Sequence, residues 1–430
     1  MSKLWTILFG LALVSTAHAQ STDFKWNAEL RTRYTNDMNR QWLKGSLGEN
    51  SAMFEGRTKL GVTMMKGDSL TGHVSLLHNN IWGNKGDSTA TAGYSQHPAA
   101  VAGNSLSVQE AWGWWKSNDM LSMKFGRAGF EYGDGTIFAL NDWNNLPNSW
   151  EGIWTQWGFD FADMHLFGNK LLDSETSVAG NSDPEIVAYG LVVNFKNLPE
   201  FLKHAFLHVV NVNADQVTAL PAGAVGANQM HYGLTLMGDA NSLDYRFTAD
   251  IFSGKYKGVG SDMNLKGTMF DAELGWSMPE FMKARFGFMI HMDTGDDSTT
   301  PDSEGYSPLY YDQHKYAGLM DVVSWGNSTY YGVSFGMNPS EDLNAGLSVL
   351  MFSRTSDKAA ANITPGPGAT ATDAKPVGNE IDLHATKTYG DNFSIFGLYG
   401  MFMPGEYVKK SLGDQGDTFS KLQLQAKLTF

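Results

Sequence analysis

The sequence predicts an all-β chain: a transmembrane antiparallel up-and-down β-barrel of about eighteen strands, with short periplasmic turns and long extracellular loops. Three observations predict it. Segments of about ten residues alternate apolar and polar side chains with period two, the pattern of a strand with one face of each kind. Long connections alternate with short ones along the chain, an order that a barrel with two unlike rims keeps and a soluble sandwich has no reason to keep. Beyond residue 19 there is no run of 18 apolar residues, so any membrane crossing is made by strands.

The N-terminus sets the compartment. Residues 1–19 read as a secretory signal peptide: Lys3 is the positive region, Leu4–Val14 the apolar run, and Ala17-His18-Ala19 the cleavage site. Gln20 then begins the mature chain, and residues 20–430 form the barrel. No cysteine follows the cleavage site, so a lipoprotein anchor is excluded.

The strands follow in order. Phe24, Trp26, Ala28 and Leu30 alternate with Lys25, Asn27, Glu29 and Arg31. Phe54, Leu60, Val62 and Met64 oppose Glu55, Arg57, Lys59 and Thr63. Leu243, Tyr245, Phe247, Ala249 and Ile251 oppose Asp244, Arg246, Thr248 and Asp250. At the C-terminus Leu422, Leu424, Ala426, Leu428 and Phe430 share one face, with Lys421, Gln423, Gln425, Lys427 and Thr429 on the other. Strands are predicted near 24–36, 51–66, 69–82, 105–116, 119–128, 149–158, 163–171, 185–196, 204–213, 229–238, 243–253, 267–277, 282–292, 326–337, 343–353, 379–389, 393–403 and 419–430. Their even number places both termini in the periplasm.

Composition removes other classes. The 430 residues include no cysteine, which excludes disulfide scaffolds, Cys–Zn sites and thiol nucleophiles. The net charge of −14 argues against a nucleic-acid partner. No phosphate loop, HExxH or GxSxG occurs. His204 and His208 lie too far apart on a strand, about 13 Å, to share a metal. The stretch 293–304 is rich in carboxylates but lacks EF-hand spacing, and reads as a solvated acidic loop. No cofactor, catalytic or metal-ligating residue is expected.

The informative charges are those on the polar face. Lys25, Arg31, Arg33, Arg57, Lys59, Lys124, Arg246, Arg285, Lys421 and Lys427 are basic; Glu29, Glu55, Asp244, Asp250, Asp271, Glu273, Glu380 and Asp382 are acidic. Ionisable groups at membrane depth mark an aqueous pathway. The alternative is a filled lumen in which they pair as structural bridges. Eighteen strands make a barrel too wide for side chains alone to fill, which favours the pathway.

Four stretches resemble the alginate-export family of outer-membrane barrels. They are Met123–Asp134 (MKFGRAGFEYGD) with Asp142-Trp143-Asn144; Trp150-Glu151-Gly152; Tyr306–Asp321 (YSPLYYDQHKYAGLMD) with Asn327; and Gly378–Leu383 (GNEIDL) with Phe402-Met-Pro-Gly405. The resemblance implies an eighteen-stranded barrel in the Gram-negative outer membrane. It also implies that Arg127 joins a basic constriction, although Ala128 replaces the family's Gln. Strict alternation from Met123 and Phe125 turns Arg127 outward, so that placement requires a bulge after Gly126. The terminal Phe430 is similar to the aromatic by which barrel-assembly machinery recognises its clients. The expected function is a passive channel for hydrophilic solutes, surrounded by outer-membrane lipid and lipopolysaccharide. Export of an anionic polysaccharide such as alginate is the alternative within that class; a closed-lumen adhesion barrel and a barrel hydrolase are the alternatives outside it.

Overall fold

A computed structural model describes residues 22–42, 50–82, 105–173, 185–215, 224–258, 262–297, 299–364, 366 and 372–430. The predicted signal peptide lies outside the described residues. The strands are β1 (Thr22–Met38), β2 (Ser51–Lys66), β3 (Leu70–Ile81), β4 (Ser105–Lys116), β5 (Leu121–Ala128) and β6 (Trp150–Gly158). Next come β7 (Ala162–Asp173), β8 (Glu185–Phe195), β9 (His204–Asp215), β10 (Ala224–Ala240), β11 (Leu243–Gly258) and β12 (Met263–Met278). The series ends with β13 (Ala284–Asp293), β14 (Thr329–Ser340), β15 (Leu343–Ser353), β16 (Pro376–Tyr389), β17 (Phe393–Pro404) and β18 (Phe419–Thr429). Each pairs with its sequence neighbours, antiparallel throughout, and β18 returns to β1, so the 18-stranded sheet is closed. No helix among the described residues is long and apolar enough to cross a membrane.

Burial along each strand is inverted relative to a soluble protein. On β1 Leu30 is exposed while Arg31, Arg33, Thr35 and Asp37 are buried. On β16 Leu383 is 57% exposed beside a fully buried Asp382. The apolar face therefore looks outward, to lipid, because only hydrocarbon makes exposure of Phe24, Trp26, Ile251, Phe288 and Leu424 favourable. Exposed aromatics near the turns, such as Trp157, Phe161, Trp276, Phe281 and Tyr389, suit the membrane interface.

The predicted strands and the observed ones coincide, with one systematic difference. β10, β11 and β12 run several residues further on the long-loop side than their alternation suggests. There Ala224–Asn228 pairs with Lys255–Gly258, and Lys255 and Lys257 are exposed. Above the membrane both faces of a strand meet water, so the ladder continues where the alternating pattern ends. At the other end β1 overhangs its last neighbour. Thr22–Ala28 pairs with β2, whereas the β1–β18 ladder begins at Glu29 opposite Thr429.

The outward assignment is testable at two sites. Leu424→Arg places a cation against hydrocarbon and is expected to cost about 2–4 kcal/mol. Gln156→Arg, on the exposed inward side of β6, is expected to cost close to nothing. Denaturant unfolding in lipid vesicles measures both, and equal losses would contradict the assignment.

Candidate functional site in the lumen

Two long connections turn back into the barrel. The first, 129–149, leaves β5 and is seated by an aromatic cluster: the Phe130 ring lies 4.8 Å from Trp150 and 5.6 Å from Phe167, and Phe138 packs against both. A tight turn at Gly133–Gly135, with Asp134 at φ 58°, reverses the chain. Residues 141–145 then reach the wall where β1, β2 and β18 meet.

Three arginines receive them. Arg31 donates to the Asp142 and Asn144 carbonyls at 2.8 and 2.9 Å and to Asn145 Oδ1 at 2.7 Å. Arg57 donates to the same two carbonyls at 3.0 and 2.9 Å. It also faces the Asp142 carboxylate at 3.0 Å and donates through Nε to Glu29 at 2.6 Å. Arg33 donates to the Trp143 carbonyl at 2.7 Å and to Gln425 at 2.8 Å, and its guanidinium lies 3.9 Å over the Trp143 ring. Asn145 in turn donates to Glu55 at 2.9 Å.

The second connection, 294–328, lies across the first. Backbone hydrogen bonds Ala139 N to Tyr310 O, Tyr310 N to Ile137 O and Asp312 N to Gly135 O join the two at 2.8, 3.0 and 2.8 Å. His314, in the short helix Gln313–Tyr316, stacks on Trp143 at 3.8 Å and 8°, so the indole lies between an imidazole and a guanidinium. His314 Nδ1 meets Asp321 at 3.1 Å, and Lys315 meets Asp134 at 2.9 Å. The base of the connection is fixed by Asp293, which accepts from Gly326 N, Ser328 N and Ser328 Oγ. Trp325 stacks between Tyr311 and His291.

Two spaces remain beside these loops. A cavity of about 340 Å³ borders Asp37, Arg40, Asn141, Gln313, Asp321 and Lys421. A more open recess of about 330 Å³ lies toward the turn side, bordered by Asp244, Arg246, Glu273, Arg285 and Lys315.

The structure changes the expected role of several charges. Arg31, Arg33 and Arg57 were expected to line an open channel. They are only 4, 2 and 1% exposed and hold the first loop instead, because desolvated guanidiniums need acceptors and the loop carbonyls supply them. Glu380 and Asp382, also expected to line the channel, are fully buried and accept from the Met320 and Leu319 amides of the second loop. Arg127 is the clearest correction to the expected constriction. The β4–β5–β6 register passes Gly126 without a bulge, so Arg127 points outward with Phe125 and Ile153 and pairs with Glu151 at 2.5 Å.

The other predicted residues keep the inward face. Lys25 is exposed at the turn-side end of β1, and Lys59 is half-buried. Lys124 lies 4.5 Å over the Trp112 ring. Arg246 pairs with Asp271 at 2.5 Å, and Arg285 with Asp244 and Glu273 at 2.6 and 2.8 Å. His208 meets Asp250 at 3.0 Å rather than His204. In the acidic stretch, Asp302 and Glu304 pair with Lys266 at 3.2 and 3.0 Å. Sequence reasoning did not assign a lumenal role to Asp142, Trp143, His314 or Asp321. All four fall inside the stretches that carry the family resemblance, and that was their only signal.

Comparison with known proteins agrees with this architecture. The family model described as Alginate export matches residues 27–419. OccK9 (OpdG) of Pseudomonas aeruginosa superposes with a TM-score of 0.63 at 13% identity, covering 95% of this chain and 99% of that one. A BenF-like porin from Pseudomonas fluorescens Pf-5 gives 0.63 at 13%, covering 95% and 98%. OccAB4 of Acinetobacter baumannii gives 0.62 at 13%, covering 96% and 99%. At such identities the likeness concerns the fold. No curated protein matches the sequence.

Two outcomes follow from the loop anchors. Arg57→Met leaves Glu29 and Asp142 without their main cation. It should destabilise the barrel by an amount near the low end of about 3–5 kcal/mol, since Asp142 is half-exposed; thermal unfolding measures it. Burial alone pushes the Asp142 carboxyl up, but Arg57, Lys427 and Arg31 outweigh it and hold the group below its usual range. Asp321 is likewise held down against burial by His314, Lys421 and Arg33. A depressed carboxyl stabilises above its unfolded value and stops doing so as pH falls through the folded one. Protease resistance of residues 141–145 should therefore persist down to about pH 4 and fall only below it.

Proposed function

This chain belongs to the alginate-export family of Gram-negative outer-membrane barrels, and from that premise we propose that it is a narrow channel for passive passage of small hydrophilic solutes, with no enzymatic role. The carrying observation is the use made of the basic wall. Arg31, Arg33 and Arg57 are covered by the backbone of residues 142–144 and stand beside the carboxylates of Glu29, Glu55 and Asp142, so a passing anion meets little unbalanced charge there. The charges bordering the two spaces are mixed: Arg246, Arg285 and Lys315 stand with Asp244 and Glu273, and Arg40 and Lys421 with Asp37 and Asp321. Such a path discriminates by size and polarity more than by sign. The acidic excess of the whole chain matters little, because acids outside the lumen such as Asp297 and Asp302 are screened over about 8–10 Å. Lipid surrounds the apolar band; lipopolysaccharide at the outer rim and barrel-assembly machinery at the exposed Phe430 complete the proposed partners.

Export of an anionic polysaccharide keeps one observation in its favour. Were residues 141–145 to leave the wall, Lys427, Arg31 and Arg57 would form a basic row across β18, β1 and β2, with Arg33 beside it and Glu29 and Glu55 at its margins. A polymer needs that state; a small solute does not.

Planar-bilayer recording separates these. The unmodified barrel should show small conductance and a reversal potential near zero in a KCl gradient. Trp143→Ala, which removes the ring held by Arg33 and His314, should raise conductance and move the reversal potential toward anions. Saturable block of the unmodified channel by alginate oligomers would favour export. Silence of both proteins would favour a closed surface barrel.

A further inference from the structure

Glu380 and Asp382 stand two residues apart on β16, so both carboxyls share its inward face. Across the ladder Leu350 and Phe402 flank Glu380, and Ser348 and Gly400 flank Asp382. One oxygen of each is satisfied. Glu380 Oε1 accepts from the Met320 amide at 3.0 Å. Asp382 Oδ2 accepts from the Leu319 amide at 3.3 Å and Ser348 Oγ at 3.2 Å. The other two oxygens, Glu380 Oε2 and Asp382 Oδ1, are buried without a donor. Because their accepting oxygens dock on consecutive amides, Leu319 and Met320, the two carboxyls lie side by side.

Two adjoining acceptors in a dry site repel when both are ionised, and a single proton between them satisfies both. The surrounding groups do not replace it. Lys421 is the cation that faces Glu380, and its ammonium donates to the Met320 carbonyl. His314 is engaged with Asp321, which adds negative charge, and His384 lies further along the same face. Asp37 and Glu55 face Lys421 from β1 and β2. Nor is there space for a hydrated cation. A Cβ on Gly318 would collide with Glu380 Oε1, and one on Gly400 would collide with the Met320 side chain. The loop itself fills the site.

We propose that Glu380 and Asp382 share one proton, and that this protonated pair docks residues 318–321 inside the lumen until loss of the proton releases them. With the proton the pair carries one negative charge, which Lys421 balances. Without it the pair carries two, covered from water, and departure of the segment relieves them by letting water in. The docking is therefore complete at low pH and lost as pH rises. The four-residue stretch becomes a proton-operated gate, a role beyond passive conduction.

The absence of native cysteine permits a direct test. Leu319→Cys is labelled with a charged maleimide in purified barrels, with and without Glu380→Gln, from neutral pH to about pH 10. The amide introduced by Glu380→Gln supplies the missing donor at every pH, and the paired comparison removes the thiol's own pH dependence. The labelling rate of the barrel that keeps Glu380, divided by that of the Glu380→Gln control, should rise about tenfold per pH unit before levelling off. Asp382→Asn should abolish the rise in the same way, and serves if Glu380→Gln fails to fold. A ratio that stays flat overturns the proposal. So does fast labelling of both variants at neutral pH, which would mean that ionised carboxylates hold the loop. Labelling does not depend on conductance, so a silent bilayer with a rising ratio would sink the channel reading and leave the proton pair standing.

Discussion

Desolvated guanidinium groups are the constraint on which the lumen depends. A barrel of eighteen strands leaves an interior too wide for wall side chains to close. Three neighbouring arginines on that wall carry about fifteen N–H donors among them, since each guanidinium has five. Once covered, those donors need oxygen partners, and the nearest dense source is a backbone with its carbonyls turned one way. Residues 142–144 provide that surface. The interior is thus filled by chain rather than by larger side chains, and the charge that makes the wall look conductive is the charge that fills it.

The second loop obeys the complementary rule. Its amides at Leu319 and Met320 meet carboxyls of β16, whereas the first loop's carbonyls meet cations of β1 and β2. Trp143 joins the two systems, with a cation on one face and His314 on the other. Because the loops also pair backbone to backbone, displacing one loosens the other. A path past them is governed by loop position more than by wall composition.

Nearly the whole strand framework was legible in the sequence, because hydrocarbon imposes a period-two rule at membrane depth, which strands such as β4 and β9 show only weakly. Arg127 shows the strength of that rule: alternation turned it outward, resemblance turned it inward, and the register follows alternation. The interior was less legible. Alternation says that Arg33 or Glu380 faces inward, but not whether water or chain lies against it. Loop placement by carbonyl and amide contacts leaves no periodic mark, since any residue supplies those groups. Trp143 and His314, through their rings, bear a side-chain signature of the contact they make, and it is a signature that two distant positions share rather than one that either displays alone.

The location of the first loop's anchorage has a bearing on time as well as on shape. Arg31 and Arg33 belong to the first strand, Arg57 to the second, and Gln425 and Lys427, which complete the cluster, to the last. Residues 141–145 are therefore stitched across the one junction where the two ends of the polypeptide meet. β1 and β2 supply most of that binding surface, and β18 completes it only when the ring closes. Complete docking therefore follows circumferential closure, and parting β18 from β1 uncovers the ion pairs of Lys427 with Glu29 and Asp142. Interactions made this late speed folding little and slow unfolding greatly. The lumenal segment thus adds contacts that opening at the seam has to break, so it bears on the rate of opening as well as on equilibrium stability.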